Sequence, residues 1–132
     1  MTLACTGFEK MYYCTFESNI GSLSMISELS SVDDENNIEK CNIVKNIQNF
    51  AFIGIFILNH GELTISECSI LGNFAKGKVF NTTEDSQIIV KNSFYDILSC
   101  NNERNLIIEN SENTSIYNSH KDVHNSNLES YI

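Results

Sequence analysis

Apolar and small polar residues recur along this chain with a fixed spacing of 27 residues. Cys14, Cys41 and Cys68 mark the repeat most clearly. Three further positions keep the same spacing around each cysteine: Met11, Ile38 and Ile65; Phe16, Ile43 and Ile70; and Asn19, Asn46 and Asn73. A period in this range is typical of a solenoid, in which each repeat buries its apolar side only when a neighbour stacks on it.

Within each repeat the pattern predicts two β-strands. Between Gly61 and Asn73, Leu63 and Ile65 alternate with polar neighbours as in a half-buried strand, and Asn73 ends it. Further strands are expected at 24–29, 50–58, 78–81 and 105–109. They follow a second apolar register with the same spacing: Met25, Phe52, Val79 and Leu106, with Ile26, Ile53, Phe80 and Ile107 beside them.

The repeats together predict an all-β fold, a right-handed parallel β-helix of about four to five coils. Later repeats shift slightly: Ser93 takes the cysteine position 25 residues after Cys68, and Ser119 is expected to take it 26 further on. We expect residues 1–132 to form one module, a fragment of a longer solenoid, with 120–132 as a frayed or incomplete last coil. The predicted interior includes Ile38, Cys41, Ile43, Ile53, Ile65, Cys68, Ile70, Phe80 and Ile107.

The segment from Phe16 to Asn19 resembles the FxxN element of polymorphic outer-membrane protein repeats, and Ile43–Asn46 and Ile70–Asn73 are similar with Ile for Phe. More broadly, the rhythm is similar to β-helix repeats of the pectin-lyase-like superfamily and of protist surface proteins. The likeness covers roughly residues 8–119, although the companion GGA element is absent. It implies a parallel β-helix in a surface or extracellular setting, with adhesion as the usual role.

A leucine-rich repeat is the alternative fold, because Met11, Cys14, Phe16 and Asn19 also fit the LxxLxLxxN pattern. Leucine is nearly absent from these positions, however. Each repeat also carries a second apolar register, where a leucine-rich horseshoe would need a helix or an irregular return. These two observations favour the β-helix.

Composition and charge narrow the possible partners. The chain has no proline, as suits stacked internal strands that use every backbone N–H. A net charge of −9, with only eight Lys and Arg, argues against nucleic acid and anionic membranes as partners. Residues 1–8 lack a signal-peptide pattern, and the longest apolar run, 50–58, is too short to span a bilayer. Asn81 and Asn113 begin glycosylation sequons, which matter only in a secreted eukaryotic protein.

The cysteine and asparagine columns are interpreted as structural. Three thiols in a line are a poor tetrahedral zinc cage and no CxxC pair exists, so we predict no metal and no cofactor. Cys14, Cys41 and Cys68 are expected to act as small buried side chains. Asn19, Asn46 and Asn73 are expected to form a stacked amide ladder. Cys5 and Cys100 lie off the column without an evident partner.

No residues assemble into a predicted catalytic centre. His60, His120 and His124 lack ligand partners at suitable spacing. Arg104, the only arginine, lies beside Glu103. Along the 27-residue spacing we expect one outer stripe that carries Glu28, Thr82 and Glu109, interrupted by Ile55, and isolated carboxylates of this kind are normally solvated.

The expected function is therefore a non-catalytic structural or binding module of a surface or secreted protein, involved in adhesion. Its partner would be a protein or a glycan, together with flanking coils of the same chain, and an isolated module is expected to self-associate end to end. Two alternatives stay open. One is part of a carbohydrate-active lyase or glycoside hydrolase whose catalytic coils lie elsewhere, and the other is a leucine-rich-repeat-like interaction module.

Overall fold

The computed structural model describes residues 3–5, 10–21, 26–28, 35–52 and 54–114. Over these residues the chain forms β-strands and a single short 3₁₀ helix, Glu103–Asn105. The all-β class expected from the sequence is confirmed. The strands are β1 (Leu3–Cys5), β2 (Lys10–Tyr12), β3 (Thr15–Glu17), β4 (Ile20–Gly21), β5 (Ile26–Glu28), β6 (Glu35–Glu39), β7 (Asn42–Val44), β8 (Ile47–Gln48), β9 (Phe56–Leu58), β10 (Gly61–Ser66), β11 (Ser69–Leu71), β12 (Phe74–Ala75), β13 (Phe80–Thr82), β14 (Ser86–Lys91), β15 (Phe94–Tyr95), β16 (Leu106–Glu109) and β17 (Glu112–Asn113).

The strands form four parallel sheets, and the chain visits the sheets in the same order again and again. Sheet A contains β1, β5, β9 and β13, and sheet B contains β2, β6, β10, β14 and β16. Sheet C contains β3, β7, β11, β15 and β17, and sheet D contains β4, β8 and β12. One strand from each sheet makes up a repeat. This arrangement is compatible with a β-helix, and it differs from a leucine-rich horseshoe, where one strand per repeat is followed by a helix or a loop.

The register in sheets B and C follows the 27-residue spacing closely. In sheet B, Ile38 pairs with Met11 on one side and Ile65 on the other. In sheet C, Ile43 pairs likewise with Phe16 and Ile70. Identical or similar side chains therefore stack directly on one another, which places the same face of every repeat towards the interior.

The interior is apolar and almost free of solvent. Alternate residues of the sheet B strands are buried, as Leu63 and Ile65 illustrate. Of the residues predicted to point inward, Ile53 lies outside the described residues and Ile107 is an exception discussed below. The others are all buried: Ile38, Cys41, Ile43, Ile65, Cys68, Ile70 and Phe80.

The second apolar register was wrong in its spacing. In sheet A, Ile26 pairs with Phe56, and Phe56 pairs with Phe80, so spacings of 30 and 24 residues replace 27. The connectors on either side of sheet A vary in length, and the two changes cancel over two repeats. Phe80 consequently keeps the rhythm, whereas Phe52 falls outside the strand and is 84% exposed.

Leu106 and Ile107 also belong to a different sheet from the one expected. They pair with Ile88 and Ile89 of sheet B rather than continuing the sheet A column of Val79 and Phe80. Ile107 is half-buried on the face opposite the buried Ile88 and Val90. The apolar run 105–109 is a strand, as predicted, but its partner strand is β14.

The last described repeat is shorter than the periodicity indicated. Ser111 lies 18 residues after Ser93 and accepts a hydrogen bond from its backbone N–H, so Ser111 occupies the column position expected for Ser119. Sheet D has no strand between β15 and the next repeat within the described residues, which shortens the path. Ser119 and the segment 120–132 lie outside the described residues.

Two corners of each repeat are made by residues with left-handed backbone conformation. The residue before each column cysteine or serine has positive φ: Tyr13, Lys40, Glu67, Asn92 and Asn110. The same is true of the residue before each ladder asparagine: Ser18, Lys45 and Gly72. Left-handed backbone costs a non-glycine residue roughly 1–2 kcal/mol. The stacked strands on either side therefore hold these corners in a strained conformation.

Candidate functional site

The cysteine column is a continuous chain of hydrogen bonds between successive repeats. The Sγ atom of Cys41 accepts from the backbone N–H of Cys14 at 3.3 Å, and that of Cys68 accepts from Cys41 at 3.4 Å. Ser93 Oγ continues the column by accepting from Cys68 N–H at 3.0 Å. Each side chain thus satisfies a backbone donor of the preceding repeat.

Each column side chain also donates to a carbonyl two residues earlier in its own repeat. Cys41 Sγ lies 3.2 Å from the Glu39 carbonyl, and Cys68 Sγ lies 3.1 Å from the Ser66 carbonyl. Ser111 makes the same bond to Glu109 at 2.9 Å. A small side chain that both donates and accepts is needed here, which explains why cysteine and serine alternate along the column.

Burial makes these thiols weak acids. It raises the pKa of the Cys68 thiol to about 12 and raises the pKa of the Cys41 thiol as well. Because the thiolate is the nucleophile and the metal ligand, both side chains are held in the unreactive form at neutral pH. Cys14, Cys41, Cys68 and Cys100 carry free thiols. The structure gives the column a role in backbone hydrogen bonding that the sequence did not indicate.

The asparagine ladder has the same logic at the next corner. Asn46 Oδ1 accepts from both the backbone N–H and the side-chain amide of Asn19, at 3.1 and 3.0 Å. Asn46 in turn donates from Nδ2 to Asn73 Oδ1 at 3.0 Å and to the Phe16 carbonyl at 2.9 Å. Asn46 and Asn73 are buried. The ladder's polar atoms are used within the fold.

The proposed stripe of carboxylates does not exist as one surface. Glu28 and Thr82 both pair with Leu58 in sheet A, but Glu109 pairs with Lys91 in sheet B. Thr82 is buried and its hydroxyl bonds Asn101 Oδ1 at 3.0 Å. Ile55 is buried rather than outward. The stripe was wrong because the sheet A spacing departs from 27.

The remaining chemistry-bearing residues are dispersed. His60 and Arg104 are both exposed, and Arg104 belongs to the 3₁₀ helix. His120 and His124 lie outside the described residues. Within the part of the chain that the structure describes, no three His, Cys, Asp or Glu side chains come together as a potential metal site.

The two sequon asparagines face opposite ways. Asn81 is half-buried between Phe80 and Thr82, which are buried, so it points outward, and its Nδ2 donates to the Phe52 carbonyl at 2.8 Å. Asn113 pairs with Tyr95 in the inward column of sheet C that includes Ile70. Only the Asn81 position could carry a glycan without disturbing the interior.

Two features escaped the sequence reasoning. One is a pair of buried amides, Asn36 Nδ2 and Gln48 Nε2, that have no hydrogen-bond partner. The other is the segment 50–52, which was predicted to start a strand but forms an exposed turn before β9. Its apolar composition resembles that of a buried strand, so a pattern of hydrophobicity alone would not reveal it.

Comparison with known proteins adds no relative: neither a protein-family model, nor a curated protein, nor a solved structure matches this chain. Over the described residues, no helix is long and apolar enough to cross a membrane.

Proposed function

We propose that the chain is a right-handed parallel β-helix that serves as a non-catalytic binding module of a surface or secreted protein. The architecture is supported by the repeated order of sheets A, B, C and D. It is also supported by the direct stacking of Met11, Ile38 and Ile65, since consecutive parallel strands in register are what successive coils of a solenoid would produce.

The observation that carries the functional part is the internal use of the conserved-looking polar columns. Cys41, Cys68, Asn46 and Asn73 spend their hydrogen-bonding groups on neighbouring repeats. The chemistry that remains free for a partner lies on the outer faces, where isolated charges and flat strands favour recognition rather than catalysis. A protein or a glycan is the proposed partner, and adhesion is the proposed role.

The acidic outer corner between sheets A and B is the first surface to test. Glu84 and Asp85 are exposed on the connector from β13 to β14, and Glu62 is half-buried at the start of β10. Fluorescently labelled chain would be applied to an array of neutral, basic and acidic glycans and to intact cells. A Glu84→Lys/Asp85→Lys variant should bind at least several-fold less, whereas Glu112→Lys on sheet C should bind normally.

The enzyme alternative predicts a different result with the same material. Incubation with plant and bacterial polysaccharides would release new reducing ends or unsaturated uronic acids if the chain were catalytic. Turnover by the purified chain would overturn the binding-module proposal. Equal binding by the wild-type and charge-reversed chains would remove the acidic corner as its recognition surface. Labelling of intact cells by an antibody to the folded chain would test the proposed surface location.

A further inference from the structure

Three consecutive apolar residues protrude at one edge of the molecule. Phe50, Ala51 and Phe52, here called the aromatic turn, lie on the connector between β8 and β9. Phe50 is 52% exposed and Phe52 is 84% exposed, although the chain has a well-packed interior available to such side chains. Large exposed apolar groups of this kind mark contact with a protein or a membrane.

The aromatic turn is held in place by the neighbouring repeat. The Phe50 N–H donates to Gln48 Oε1 at 2.8 Å, and the Phe52 carbonyl accepts from Asn81 Nδ2 at 2.8 Å. Gly77 packs directly beneath it, since a Cβ there would lie 2.3 Å from the Ala51 carbonyl oxygen. These bonds satisfy two backbone groups of the turn, which lowers the cost of moving it out of water.

Basic residues flank the turn and acidic ones do not. Lys76 and Lys78 lie on either side of Gly77, and both are exposed. The Lys76 N–H donates to the Gln48 carbonyl at 2.9 Å, which keeps this segment against the turn. Neither 48–52 nor 76–78 contains an acidic residue. The next acidic residues along the chain, Glu84 and Asp85, follow the far end of β13.

We propose that the aromatic turn inserts into a membrane surface that carries anionic headgroups. Phe50 and Phe52 would enter the boundary between headgroups and acyl chains, while Lys76 and Lys78 would contact headgroup phosphates. Exposed Ile20 and Phe74 of sheet D, which both pair with Ile47, extend the apolar area beside the turn. The net charge of −9 does not prevent this contact, because charges farther away than about 10 Å are largely screened at 0.1 M salt.

This inference goes beyond the proposed binding module and can be tested separately from it. The chain contains no tryptophan, so a Phe52→Trp variant carries a single fluorescent reporter at the turn. It would be mixed with vesicles of phosphatidylcholine and phosphatidylserine. We expect a blue shift of the emission and quenching by brominated lipid. The matched control is Phe94→Trp, which places the reporter at an exposed position of sheet C.

The lysines and the second phenylalanine provide further arms of the experiment. Adding Lys76→Glu/Lys78→Glu or Phe50→Ser to the Phe52→Trp chain should each weaken vesicle binding about tenfold. Circular dichroism would establish that each variant is folded. No shift with either phosphatidylcholine alone or the mixed vesicles would overturn the inference and leave the turn to a protein partner. An equal shift for Phe94→Trp, or insensitivity to the lysine changes, would also contradict it.

Discussion

At the scale of single residues, the column formed by Cys14, Cys41, Cys68, Ser93 and Ser111 depends on a side chain that both donates and accepts. Cys68→Ser should therefore be nearly neutral, because a hydroxyl makes the same two bonds. Cys68→Ala should lower the free energy of unfolding by about 1–3 kcal/mol, since the Cys41 N–H would lose its buried acceptor. Urea denaturation of the two variants compares them directly, and equal losses would contradict the hydrogen-bonding role.

The buried thiols also predict a dependence of stability on alkaline pH. Burial raises the folded-state pKa of Cys68 to about 12, above its ordinary value of 9.0. The unfolded chain therefore releases this proton first, and stability is lost progressively as the pH rises from 9 towards 12. A Cys41→Ser/Cys68→Ser variant should show a smaller loss over this range. Parallel stability curves for the two proteins would refute the prediction.

Left-handed corner residues offer a stabilising substitution. Glu67 has φ of 52°, whereas later repeats place Asn92 and Asn110 at the same corner. Asparagine tolerates this conformation better, so Glu67→Asn should be more stable than Glu67→Gln by about 0.5–1 kcal/mol. The two variants equally remove the exposed ion pair with Lys40, which makes them a matched pair in thermal denaturation. If Gln were as stable as Asn, the corner would not be strained.

At the scale of structural elements, the asparagine ladder ties sheet C to sheet D. Asn46 bonds to both neighbouring repeats, so Asn46→Ala should cost about 2–3 kcal/mol by leaving several buried groups unpaired. Asn42→Ala, at a half-buried outward position of the same repeat, should change stability by less than about 0.5 kcal/mol. Similar effects of the two substitutions in urea denaturation would argue against the ladder.

The elements also show which parts of the fold the sequence could reveal. Sheets B and C follow the 27-residue spacing because the corners at Lys40 and Lys45 are tight and leave no room for insertions. Sheet A could not be placed, since its flanking connectors vary in length and shift Phe56 by three residues from the rhythm. The shorter last repeat at Ser111 was missed for the same reason. Hydrophobic periodicity registers side chains that stack, but it carries no information on connectors that compensate one another.

At the scale of the whole molecule, the central claim is that successive repeats stack in register. Outward positions of sheet C test it: Thr15, Asn42, Ser69, Phe94 and Glu112 form one column. Adjacent members lie about 4.8 Å apart and alternate members about twice that distance. A disulfide spans only Cα atoms closer than about 7 Å.

The decisive measurement is therefore disulfide formation between pairs of introduced cysteines, in a chain whose five native cysteines are replaced by serine. Under mild oxidation, Asn42→Cys/Ser69→Cys and Phe94→Cys/Glu112→Cys should crosslink nearly completely within the monomer. Thr15→Cys/Ser69→Cys, which skips one repeat, should not. Crosslinking of the skipped pair as readily as of the adjacent pairs, or failure of both adjacent pairs in a folded chain, would contradict the stacked arrangement.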